Sequence, residues 1–90
     1  MTFFERFDLN GDLMKRMAVT VDADIGAALA QGRLSGDRLR AAMVRCARCE
    51  QADFCKNWLE VNEARKADGG VTPRAPDFCA NHDLMDRLGA

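Results

Sequence analysis

Apolar residues in this chain recur at three- and four-residue intervals, interrupted by short polar or glycine-containing joints, and nowhere alternate with period two over the length of a strand. Leu13, Met14, Met17, Ala18 and Val21 fall on one helical face, which predicts a helix over about residues 11–20 with Asn10 as its N-cap. Upstream, Thr2 followed by Glu5 has the form of a capping box and predicts a short turn presenting Phe3, Phe4 and Phe7. Asp22 is read as the cap of a second helix with Ile25, Ala28 and Leu29 inward and Gly32 as its stop. Ser35 caps a third helix over about residues 36–48, whose buried stripe is Leu39, Ala42, Met43 and Cys46. A fourth, over residues 50–66, puts Phe54, Trp58 and Val61 on its inner face with Cys55 and Leu59 beside them. Two glycines and two prolines make a loop of about residues 68–77. Asn81 then caps a short last helix with Leu84, Met85 and Leu88 inward. The expected fold class is all-α: one domain over residues 1–90, a small bundle of four to five short helices stapled by a four-cysteine site.

Composition changes that picture at one point. A hydrophobic fraction of 48% and a charged fraction of 30% describe a globular protein, and a net charge of −1 gives no global pull toward nucleic acid or an anionic membrane. Ninety residues, however, bury only a modest core, and domains of this size often add disulfides or a metal. The N-terminal run lacks the basic and continuous apolar regions of a signal peptide, and no segment approaches the ~20 apolar residues that span a bilayer. The expected location is the cytoplasm, where thiols stay reduced and clustered cysteines favour metal binding over disulfides.

Those cysteines are Cys46, Cys49, Cys55 and Cys79, spaced x2, x5 and x23. Cys46 continues the apolar stripe of the third helix, so its sulfur should point inward, and Cys55 sits beside the stripe of the fourth. A shared centre would tie the third helix, the fourth helix and the C-terminal tail at one point. Four thiolates hold either Zn2+ or an iron–sulfur cluster. Zinc ribbons and knuckles use paired short spacings on β-turns. A single C-x2-C pair followed by long, uneven intervals on helices suits a cluster, whose ligand sulfurs lie farther apart. Arg33, Arg38, Arg40, Arg45 and Arg48, against Asp37 alone, give residues 33–48 a surplus of +4, which should favour thiolates nearby if it is more than a solvated face. Two disulfides, one disulfide with two free thiols, inert buried thiols, and a Cys46–Cys49 redox couple are the competing readings. No βαβ pattern supports the last of these.

The segment from Cys46 through Cys49 and Cys55 to Trp58 and Leu59 resembles the C-x2-C-x5-C block of the WhiB-like regulators, which implies a helical protein holding a [4Fe-4S] cluster. In that family the fourth cysteine precedes the block, whereas Cys79 follows it here, and the family's Gly/Trp turn and basic tail are absent. Over most of its length the chain is similar to a family of small alphaproteobacterial proteins of unknown function. The matching stretches are Asp12 to Met14, Leu39 to Cys46, Cys49 to Leu59, and Ala75 to Asn81. That similarity implies four thiols acting together and no particular activity.

The remaining candidates read more plainly. His82, the one histidine, belongs at a helix start or on the surface, and without a second histidine acid–base catalysis has little support. Met14, Met17, Met43 and Met85 are core filler rather than copper ligands. Trp58 should pack beside Cys55 and shield it from water. Phe3, Phe4 and Phe7 are either a core plug or an exposed docking patch. Asp8, Asp12, Asp22 and Asp24 lack calcium-loop spacing, and there is no phosphate loop or nucleophile–base pair, so the chain is read as not an enzyme. The expectation is a cytoplasmic iron–sulfur protein, with no membrane association and no small-molecule substrate identified, acting as a redox- or oxygen-responsive or electron-transfer module through a protein partner. Nucleic acid is a weakly supported partner, and structural zinc with no redox role is the alternative.

Overall fold

The computed structural model describes residues 2–89 and contains five helices: α1 (Phe3–Thr20), α2 (Ile25–Ala30), α3 (Gly36–Ala47), α4 (Ala52–Ala67) and α5 (His82–Leu88). There is no strand among the described residues, so the all-α class holds. None of these helices is long and apolar enough to cross a membrane.

The longest helix, α1, is the hub, packing against both α3 and α4. It begins where the capping-box pattern placed it, with Thr2 Oγ1 accepting the Glu5 N–H at 3.2 Å. It does not pause at Asn10. The expected turn and second start merge into one 18-residue helix, because Asn10 is not used as a cap. Its side chain is buried and spent elsewhere, as described below. Beyond it, Met14, Met17, Ala18 and Val21 form the core stripe that periodicity indicated. Ala28, Leu34, Ala42, Leu59, Met85 and Leu88 close around that stripe.

The cap of α2 is Asp24, not Asp22: Asp24 Oδ1 accepts the Ala27 N–H at 2.9 Å. Asp22 instead occupies the left-handed region at φ 57°, a conformation that aspartate tolerates better than most residues. Its carboxylate receives Lys66 Nζ at 2.6 Å and Thr72 Oγ1 at 2.8 Å. Lys66 also donates to the Val19 carbonyl at 2.7 Å, so α4 caps the open C-terminus of α1. Ala28 is the buried residue of α2, while Leu29 is exposed rather than inward. Ser35 caps α3 as expected, accepting the Arg38 N–H at 3.1 Å.

The inner face of α4 is rotated from the expected one. Leu59 is fully buried and Cys55 and Trp58 pack against the core, but Phe54 and Val61 are exposed. Burial here follows Ala52, Cys55, Leu59, Asn62, Glu63 and Lys66, a stripe whose later members are polar. Glu63 lies on it because Arg16 of α1 meets it in a two-pronged ion pair at 2.6 and 3.1 Å. A helix that buries polar residues in an ion pair does not announce its inner face by hydrophobicity. After α4, Gly69 at φ 85° and Gly70 turn the chain; a Cβ on Gly70 would lie 2.7 Å from the Arg65 carbonyl oxygen. Ala75 then anchors the loop in the core before α5.

Candidate metal centre

The four cysteines reach one small cavity from three separate stretches of chain. Cys46 comes from the last turn of α3. Cys49 follows in the turn that its N–H begins by bonding the Cys46 carbonyl at 3.1 Å. Cys55 lies in the first turn of α4, with its N–H on the Gln51 carbonyl at 2.8 Å. Cys79 arrives from the far side of the Gly/Pro loop, in a turn closed by its own N–H on the Pro76 carbonyl at 2.9 Å. All four are partly buried and none is in a disulfide. The cavity has a volume of about 30 Å3, room for roughly one water-sized body. Among the described residues, no three His, Cys, Asp or Glu side chains are arranged to hold a metal ion.

Backbone dipoles converge on the sulfurs. The Gln51 N–H points at Cys49 Sγ at 3.4 Å, and the backbone of Asn81 hydrogen-bonds the Cys79 sulfur. Each donor lies two residues after the cysteine it serves, and such bonds stabilise a thiolate. Cys46 behaves differently, its Sγ donating to the Asn10 carbonyl at 3.2 Å.

Electrostatics give the cavity its character. Burial is the first cause pushing Cys46 up to about 12, and the negative charges that Cys79, Cys49 and Cys55 would carry push in the same direction. Cys55 is raised to about 11 by burial and then by Cys79 and Cys49, with a small opposing pull from Arg16. Burial also raises Cys79, against the favourable Asn81 backbone bond. Four sulfurs placed this way cannot all ionise without a cation among them. The arginines of residues 33–48 do not supply it. All five are exposed, and none of them acts on Cys46, Cys55 or Cys79, whereas Arg16 of α1 acts on Cys55. The expectation that the basic surplus favours thiolates is therefore not met at Cys46, Cys55 or Cys79.

Two asparagines frame the site, and sequence reasoning assigned both to helix starts. Asn10 Nδ2 donates to the Cys46 carbonyl at 2.7 Å and to the Ala47 carbonyl at 3.4 Å, satisfying the open C-terminus of α3 from the middle of α1. Asn81 does precede α5 but makes no side-chain cap bond. Its Nδ2 donates to the Ala42 carbonyl at 2.9 Å, and its Oδ1 accepts from Arg45 Nε at 2.9 Å. Both side chains line the cysteine cavity. Phe78 lines it too, and its ring lies 6.3 Å from that of Phe54, which is 66% exposed. The aromatic wall is thus Phe78, not Trp58, which packs into the core without reaching the cavity. His82 stays outside, with Nδ1 3.0 Å from the Cys79 carbonyl oxygen and Nε2 3.1 Å from Asp83 Oδ1.

The cysteine arrangement is a property of the whole chain, and the comparison with known families has the same extent. A family model matches residues 1–90. The chain belongs to the Family of unknown function (DUF6455). No curated protein and no solved structure matches it. Membership agrees with the expectation of a small uncharacterised family, and it embraces α1 and the Cys79 tail as well as the central block.

Proposed function

We propose that this protein is a cytoplasmic iron–sulfur protein that binds one cluster, a [4Fe-4S] cluster by preference, on Cys46, Cys49, Cys55 and Cys79. It would act through a protein partner as a redox- or oxygen-responsive or electron-transfer module. The observation that carries the reading is the meeting of four reduced sulfurs, from α3, α4 and the residues before α5, on one cavity where their ionisation needs a cation. Bound there, a cluster supplies an electron store. The chain supplies the thiolates, two backbone N–H donors to sulfur, and an aromatic wall that limits water.

Support for a cluster over a lone ion comes from the x2, x5, x23 spacing and from the local likeness of residues 46–59 to the WhiB-like block. A cluster exceeds a cavity of about 30 Å3, so its uptake requires the lining to move outward. That same volume favours the second reading, structural Zn2+ on the same sulfurs with function carried by a protein-binding surface. Phe3 and Phe4, exposed beside one another at the start of α1, suit such a surface.

Anaerobic purification decides between them. The expected result is a brown protein with a sulfur-to-iron charge-transfer spectrum and iron with inorganic sulfide in stoichiometric amount. A colourless protein containing one zinc per chain establishes the second reading. A colourless protein without either metal, even after reconstitution, removes both.

A further inference from the structure

On the opposite side of Asn81 from the cysteines lies a second, larger hollow between α3 and α5. Its volume is about 440 Å3, within the range of about 300–1,000 Å3 typical of small-molecule sites. Arg38 and Arg45 enter it from α3, about two turns apart, and Arg87 enters from α5. Asp83 is the one acidic side chain lining it, and Asp83 already faces His82 Nε2 at 3.1 Å. The floor is short and apolar, built from Ala41, Ala80 and Leu84, so nothing bulky keeps a ligand from reaching the guanidinium groups. Arg45 is held in place, because its Nε donates to Asn81 Oδ1 at 2.9 Å while its terminal nitrogens remain for another partner. The hollow thus sets three arginines against one aspartate, in a protein whose net charge is −1.

We propose that this cleft is a binding site for a small organic anion carrying at least two oxyanion groups, phosphate or carboxylate. The planar, always-charged guanidinium forks recognise such groups in two-pronged fashion. Three of them, set on two different helices around a concave floor, select a ligand that spans α3 and α5. Asp83 sets a further limit: it repels an anion that fills the cleft evenly, so the ligand's charged groups are drawn toward the arginines and its uncharged or hydroxyl-bearing portion faces Asp83. The cleft shares Ala80 and Asn81 with the cysteine cavity, so binding is measured on protein of one defined metal content.

The test is an NMR titration of the 15N-labelled full chain with inorganic pyrophosphate and, separately, with citrate, at about 0.15 M salt, where exposed charges more than about 8 Å apart are screened. The arginine Nε–H resonances of Arg38, Arg45 and Arg87 should shift saturably with at least one probe. Pyrophosphate alone assigns phosphate chemistry, and citrate alone assigns carboxylate chemistry. The double variant Arg38→Gln/Arg87→Gln, which changes two exposed residues, should keep the parent's backbone spectrum and bind at least about tenfold more weakly, the loss expected when charge-assisted hydrogen bonds are removed. Arg33→Gln, equally exposed but outside the cleft, should leave affinity within about twofold. Absence of saturation with both probes overturns the proposal. So does an equal loss in Arg33→Gln, which would show attraction by general charge.

Discussion

The two ends of α1 are held by different chemistry. Toward its C-terminus, α1 is fastened to α4 by ion pairs with complete partners, Arg16 with Glu63 and Asp22 with Lys66, and to the Gly/Pro loop by a hydrogen bond from Thr72 to Asp22. Toward its N-terminal half, it meets α3, the start of α4 and the residues before α5 through buried amides and four thiols. The first end is electrically balanced as it stands. The second is balanced while its sulfurs keep their protons, and it gains cross-bracing only from a cation that replaces them. On the reading proposed above, a small bundle with a limited core thus keeps one end self-sufficient and leaves the other to be braced by the centre it would bind.

Removing ligands should expose that contrast most strongly. Cys46→Ser and Cys79→Ser, in protein loaded as isolated, should each lower stability by about 4 kcal/mol or more, as expected for loss of a bound metal centre. Equal denaturation midpoints for Cys79→Ser and the parent would show that the tail is not part of the centre. Next in size are the amides. Asn10→Ala leaves the Cys46 and Ala47 carbonyls without their side-chain donor, and Asn81→Ala does the same to Ala42. Urea melts should show a loss of about 1–3 kcal/mol for each, with or without metal.

Protons provide a third measure. In chelator-treated protein, the folded state holds the Cys46 and Cys55 thiols at about 12 and about 11, above the value of about 8.5 for an unfolded thiol. A raised folded value contributes stability that is complete below the unfolded value and is lost as pH rises toward the folded one. The metal-free chain should therefore weaken progressively above about pH 8.5, while the loaded chain, its thiol protons already gone, should not follow. Calorimetry of loading near pH 7 should register release of about four protons per centre. The smallest effect is expected at the other end. Arg16→Ala removes a half-exposed pair and should lower the melting temperature less than either asparagine variant. On acidification, the contribution of Asp22 and Glu63, whose carboxyls are held below their ordinary range by Lys66 and Arg16, should fade as they protonate.

The sequence displayed the balanced chemistry of local contacts better than that of distant ones. Thr2 and Ser35 cap the helices they precede, because a hydroxyl three residues before a backbone N–H is a local arrangement. The placement of Cys46 and Cys55 beside apolar stripes correctly put their sulfurs toward the interior. Asn10 and Asp22 misled for one reason: both are good caps, and both are used by carbonyls or cations far along the chain. The role of Phe78 was equally hidden, since one aromatic residue beside a cysteine has no periodicity to report. Polar residues buried in long-range pairs leave no mark on a hydrophobic pattern.

The bond from the Cys46 thiol to the Asn10 carbonyl links occupancy to geometry. A ligated sulfur has no hydrogen to give, so filling the centre turns an attraction into two facing lone pairs. The contact must part, and it sits where the hub helix crosses the end of α3. On the reading proposed above, filling or emptying the centre would thereby alter how the longest helix is seated.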